Sequence, residues 1–189
     1  MTFLQKSKSF LISLLAIVLI TSCAKEEDAS SIENSLVNVN LKATQTQLDK
    51  FNIEILDVQL RVLEDETDSN AWISLNATNT GIHDLTNFTG NQSITLVDFE
   101  QVPAKFIYSI KIVFGDENTV VRNNVEYVVD IDSEYDHTSV NIIDKQLVES
   151  KLYEFTILFD TDESIKFSSY SEAKLYPKTN IMMRLYNLF

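Results

Sequence analysis

Phe106-Ile107-Tyr108-Ser109-Ile110-Lys111-Ile112-Val113-Phe114 (FIYSIKIVF) is the stretch on which the fold turns. Phe106, Tyr108, Ile110, Ile112 and Phe114 recur at every second position, the period of a pleated strand rather than of a helix. Ile107 and Val113 make the opposite face partly apolar as well, which predicts a strand interior to its sheet. Outward from it the same period returns. Val37, Val39 and Leu41 alternate with Asn38 and Asn40, and Tyr153, Phe155, Ile157 and Phe159 share one phase. Phe51, Ile53 and Ile55 follow one phase and Val58, Leu60 and Val62 the other, so a bulge is expected near Leu56-Asp57.

Further strands are expected around Trp72, Ile94 to Phe99, Thr119 to Val121, Val125 to Ile131, Val140 to Ile143, Ser164 to Phe167 and Ile181 to Leu188. Arg122-Asn123-Asn124 reads as a hairpin turn, because asparagine tolerates the left-handed backbone that tight hairpins demand. With only three glycines and two prolines, turns fall to Asn, Asp, Ser and Thr, and no Gly-rich phosphate loop exists. Residues 45–50 and 144–150 read as a turn or two of helix, residues 81–90 as a loop in which Ile82, Leu85 and Phe88 cap the core, and Trp72 as a core plug with a ligand platform as the alternative. About ten short strands with frequent turns predict an all-β fold, an antiparallel sandwich or barrel.

The amino terminus is of another kind. Lys6 and Lys8 precede an apolar run over residues 10–20 (FLISLLAIVLI) that is about half the roughly 20 residues a membrane-spanning helix needs. Ile20-Thr21-Ser22-Cys23 resembles the bacterial lipobox, an aliphatic and two small residues before the cysteine that takes the lipid. Residues 1–22 are expected to be a lipoprotein signal peptide, Cys23 the palmitate-bearing anchor, residues 23–35 a polar tether and residues 36–189 one domain. The bilayer, reached through the acylated cysteine, is then the first partner. Lys25-Glu26-Glu27-Asp28 resembles the acidic export signal of some Gram-negative lipoproteins. It points to the outer membrane and its outer surface, a periplasm-facing solvated linker being the alternative. Cys23 is the sole cysteine, so no internal disulfide forms and stability rests on a hydrophobic core. Removing Lys6 and Lys8 takes the formal charge from −13 to −15, which opposes nucleic acid as a partner.

Chemistry-bearing residues are sparse. Asp130, Asp132, Glu134 and Asp136 alternate with Ile131, Ser133 and Tyr135, so an extended strand end aims four carboxylates to one side. Hard cations such as calcium take such oxygens, although the glycine that sharpens a calcium loop is missing and a solvated face is the plainer reading. Asp160, Asp162 and Glu163 form a second acidic cluster, which meets the first only if the sheet brings those strand ends together. His83 and His137 are the only histidines, too few for a multi-histidine metal site, and no nucleophile elbow occurs. No cofactor other than calcium is indicated. Seven tyrosines leave a sugar-stacking surface open. The leading expectation is a non-enzymatic binding or structural module with a protein or glycan ligand. The alternative is a calcium-dependent or hydrolytic enzyme working through the acidic clusters.

Four blocks stand out: Leu48-Asp49-Lys50-Phe51-Asn52-Ile53-Glu54-Ile55 running on to Trp72, Val102-Pro103-Ala104 leading through Ile110-Lys111-Ile112-Val113-Phe114 to Gly115, Leu158-Phe159-Asp160-Thr161-Asp162-Glu163-Ser164-Ile165, and Leu175-Tyr176-Pro177. Together they resemble a bacterial and archaeal domain of unknown function, DUF4382, common in lipoproteins. Lys105, Leu158 and Tyr176 depart from the family's glycine, aspartate and lysine at those places, differences of turn geometry more than of fold. The resemblance spans about residues 36–189. It implies a β-sandwich of immunoglobulin-like or transthyretin-like character and no assigned activity.

Overall fold

A computed structural model describes residues 34–168 and 172–188. The expected signal peptide, Cys23 and the acidic run beside it lie outside the described residues.

Among the described residues thirteen strands form two sheets. In the first, β13 (Thr179–Asn187), β10 (Lys151–Phe159), β1 (Asn34–Ala43) and β5 (Ile94–Pro103) lie side by side in that order. The second runs β11 (Ile165–Phe167), β12 (Glu172–Leu175), β8 (Val125–Ile131), β7 (Thr119–Arg122), β2 (Lys50–Arg61), β6 (Phe106–Phe114) and β9 (Thr138–Gln146). On β2 also pair the short β3 (Trp72–Ser74) and β4 (Gly81–Asp84). The all-β sandwich is as the sequence predicts. Most pairs are antiparallel, but β1 with β10 and β8 with β12 run parallel, so both sheets are mixed.

The core follows from alternation. Val37, Val39 and Leu41 of β1 and Tyr153, Phe155, Ile157 and Phe159 of β10 bury one face of the first sheet, and Phe51, Ile53, Ile55, Val58, Leu60, Ile110, Ile112 and Phe114 bury the facing side of the second. Each such side chain is worth about 1.5–3 kcal/mol of transfer free energy. Phe159 meets Phe51 and Phe114 edge-on, at ring separations of 5.9 and 6.3 Å, and so clasps the two sheets together. The expected bulge is present: the β2–β6 register shifts between Ile55 and Asp57, turning Leu56 out to solvent. The β7–β8 hairpin is present too, with Asn123 and Asn124 at φ 52° and 62°.

Four expectations are corrected. β6 carries its own slip, between Ile107 and Ser109 in its pairing with β9. Ile107 is therefore buried, and Phe106 and Tyr108 lie on the face opposite Ile110. Trp72 is only half-buried, with the Lys111 ammonium 4.1 Å from its ring centre, and so is no core plug. Of the residues expected to cap the core, Leu85 is fully buried but Ile82 is exposed. Residues 45–50 and 144–150 form no helix; β9 continues to Gln146, and the single turn of α-helix, α1 (Thr161–Ser164), follows β10.

Candidate binding groove

β8 and β12 are parallel, with Leu175 opposite Ile131, so both end on the same side of the sheet. The chain beyond them is laced together by main-chain bonds. The Asp132 amide donates to the Leu175 carbonyl (2.9 Å), the Tyr176 amide to the Ser164 carbonyl (2.7 Å) and the Asp160 amide to the Lys178 carbonyl (2.8 Å). The buried Ser164 hydroxyl oxygen also accepts the Lys178 amide at 2.9 Å. Three connecting segments thereby border one open groove of about 540 Å3. Glu134 and Tyr135 come from a 3-10 turn (Ser133–Tyr135), Asp162 and Glu163 from α1, and Tyr176 and Lys178 from the β12–β13 link, with Ile165 and Lys166 of β11 completing the lining.

The groove mixes rings with opposed charges. Tyr135 and Tyr176 stand nearly perpendicular, 6.1 Å apart, and the Lys166 ammonium lies 4.0 Å from the Tyr176 ring centre. Lys178 Nζ sits 3.6 Å from Glu163 Oε2, and Lys174 Nζ sits 3.5 Å from Asp132 Oδ2. The Asp132 carboxylate accepts the Glu134 amide at 3.2 Å and caps the 3-10 turn. That amide bond above all, with Lys174 and the Tyr176 hydroxyl adding to it, holds the Asp132 carboxyl below its usual range against the opposing effect of burial. Asp160 caps α1 in the same way, accepting the Glu163 amide at 3.1 Å. Asp162 accepts the Thr46 hydroxyl, and it also lines a smaller cleft of about 310 Å3 with Arg122 and Phe167, whose cation and ring stack at 4.9 Å.

The four carboxylates of the first acidic run do not line up. β8 stops at Ile131, so the period-two alternation ends there. Asp130 lines a different cleft with Asp116 and His137, Asp132 turns back onto main chain, and Glu134 faces the groove. Asp136 sits at φ 44°, close enough to Lys111 to act on its charge. Among the described residues no group of three or more His, Cys, Asp or Glu is placed to hold a metal ion. What the fold does bring to one groove is Glu134 with Asp162 and Glu163, together with Lys166 and Lys178. Lys166 and Lys178 escaped the sequence reading, because only the β8–β12 pairing reveals that they border the acidic residues.

A second surface lies on the solvent face of the larger sheet. Trp72 under Lys111, and Tyr108 under Arg61 at 5.3 Å and against Phe106 at 4.8 Å, form an aromatic strip. Burial pushes the Lys111 ammonium below its usual range, with Asp136 and Asp57 opposing. His83 lies elsewhere, its Nε2 3.0 Å from the Asn79 carbonyl oxygen.

No curated protein and no solved structure matches the chain. The family described as a domain of unknown function, DUF4382, matches residues 34–177, from the first residue of β1 past Tyr176, which borders the groove. That match takes in twelve of the thirteen strands and most of the chain, and the protein belongs to the DUF4382 family.

Proposed function

We propose that this protein is a lipid-anchored, non-catalytic binding module of the bacterial envelope, held at the outer membrane of a Gram-negative cell by acylated Cys23 and presenting its β-sandwich outward. The anchor rests on the lipobox-like Ile20-Thr21-Ser22-Cys23, with the chain's sole cysteine at the position that motif requires. The acidic run after it favours the cell surface. In this reading the groove beyond β8 and β12 takes the ligand, and the observation that carries it is the convergence of Tyr135, Tyr176 and Lys166 with Glu134, Glu163 and Lys178. Carboxylates next to lysines leave little net charge to attract an ion. Hydroxyls, ammonium groups and carboxylates around aromatic edges suit a neutral, hydroxyl-rich ligand, that is, a glycan.

Two measurements test the two halves. Cells labelled with radioactive palmitate should lose the label from the protein when Cys23→Ser is introduced; unchanged labelling refutes the anchor. An array of envelope and host glycans should show retention by the parent and at least tenfold weaker retention by Tyr176→Ala. No retention on the array, or turnover of an arrayed glycan, refutes the non-catalytic glycan-binding reading.

A further inference from the structure

A sheet edge that is long, flat and apolar is a template for another strand, and folded proteins normally blunt such edges with bulges, charges, proline or shortness. β3 and β4, which pair only with β2, are edges of three and four residues, and of the remaining four edges three are blunted. β5 slips twice against β1, carries Phe99 at φ 49° beside Asp98 and Glu100, and ends in Pro103. β9 has Asp144 at φ 45° followed by Lys145. β11 is three residues long and centred on Lys166. β13 differs on every count. It is nine residues long, pairs with β10 from Thr179 to Asn187 without a register shift, contains no proline, and carries Arg184 as its one charge. Among the described residues no strand pairs with its other side. Met182, Met183, Leu185 and Tyr186 are 57, 39, 49 and 42% exposed.

We propose that β13 is the interface of a homodimer, in which the β13 strands of two copies pair antiparallel and join two four-stranded sheets into one of eight strands. The pattern of the strand argues for a second copy of this chain as the occupant. A twofold axis through Met183 pairs all nine residues over their full length, Thr179 with the other copy's Asn187 and Ile181 with its Leu185, and sets Met183 against itself. Arg184 then faces Met182, so no like charges are opposed, whereas an axis one residue further on would set Arg184 against Arg184. The two strips together would bury on the order of 1,000 Å2, the lower bound for a specific interface, with the main-chain ladder added to it. β13 lies beyond residues 34–177, so this edge is outside the part of the chain that the family defines.

The test is cysteine cross-linking of the full chain in intact cells, with added oxidant, and it depends on neither the anchor nor the groove. Paired residues across an antiparallel ladder fall within the Cα separation that a disulfide spans, while residues displaced along it by two do not. Met183→Cys should give a disulfide dimer at least tenfold above the parent, whose only cysteine is Cys23, and above Val128→Cys on the other sheet. Ile181→Cys and Leu185→Cys should cross-link when co-expressed but not singly, a pattern that a misfolded chain would not reproduce. Adding Met183→Glu to the Ile181→Cys and Leu185→Cys chains, which puts two carboxylates on the axis, should abolish their link. A dimer no stronger at Met183→Cys than at Val128→Cys refutes the proposal. So does cross-linking to a protein of another mass, which would mean that a foreign strand occupies the edge, or stronger cross-linking at Ile142→Cys, which would place the interface on β9.

Discussion

Gly115→Ala should destabilise the protein only while Glu54 is present. The amide of Gly115 donates to the Glu54 carbonyl at 2.9 Å, and its own carbonyl accepts the Asn118 side chain at 2.8 Å, so the backbone there is fixed from both sides. A methyl group on Gly115 would fall onto the Glu54 carboxylate, and within 2.8 Å of Glu54 Cγ, these side-chain atoms being its three nearest neighbours. Glu54 must therefore swing away, losing the bond its Oε2 accepts from the Glu117 amide at 3.1 Å. The lost bond costs about 0.5–1.5 kcal/mol. Forcing the side chain off its rotamer costs a similar amount, and the stiffer unfolded chain returns about 0.4–1 kcal/mol. The net cost is about 0.5–2 kcal/mol. In a Glu54→Ala background the obstacle is gone, only the unfolded-state gain remains, and Gly115→Ala should become neutral or stabilising. Urea unfolding of the four chains of this cycle in a Cys23→Ser parent reads the coupling, which should be about 1–3 kcal/mol with unchanged slopes. If Gly115→Ala costs the same in both backgrounds to within about 0.5 kcal/mol, the glycine is required by something other than this close approach.

Phe159→Ala should cost about 3–5 kcal/mol, since the ring is fully buried and meets Phe51 and Phe114 across the sandwich; a urea midpoint shift worth under 1 kcal/mol would contradict the clasp. Asn124→Val should cost about 1–2 kcal/mol because a β-branched residue is placed at φ 62°, while Asn124→Gly should be close to neutral in the same unfolding assay. Asp132 is held below its unfolded pKa by the Glu134 amide, so its contribution is complete above about pH 4 and lost as pH falls through the lowered folded value. The stability gap between parent and Asp132→Asn, followed from pH 7 to pH 2, should close in acid; a gap that widens there would reverse the assigned direction.

Local chemistry was legible where it acts within one or two residues. The phase change at Leu56-Asp57 announced the β2 bulge, and the Asn123-Asn124 pair announced the hairpin. Period-two reading failed in β6, because a strand apolar on both faces does not say which set points inward. The slip after Ile107 then exchanged Phe106 and Tyr108 for Ile107. It failed for Trp72 for a related reason: an indole buries much of its area against a lysine stem on an open sheet face as readily as in a core. β13 was legible as a strand but not as an edge: only its pairing with β10 at the end of the sheet shows that, and Met182, Met183, Leu185 and Tyr186 are exposed there.

The groove shows why residue types can be recognised before their arrangement. Had β8 and β12 run antiparallel, as the sequence suggested for the whole sandwich, residues 132–136 and 176–178 would leave the sheet at opposite ends. The two acidic segments would then stand a strand length apart. Parallel pairing of β12 with β8 puts both exits on one side, and the short antiparallel β11–β12 pair folds α1 back over them. Parallel partners need a long crossover, and here the chain between Ile131 and Glu172 passes through the other sheet as β10 before returning. No local pattern encodes that return. Its physical trace is the buried Ser164, whose carbonyl and hydroxyl oxygens accept the amides of Tyr176 and Lys178 and tie the three segments at one point. Glu134 and Glu163 therefore owe their meeting to the crossover, and the lysines that arrive on the same segments, Lys166 and Lys178, give the groove its mixed charge in place of the purely acidic site that the linear sequence suggested.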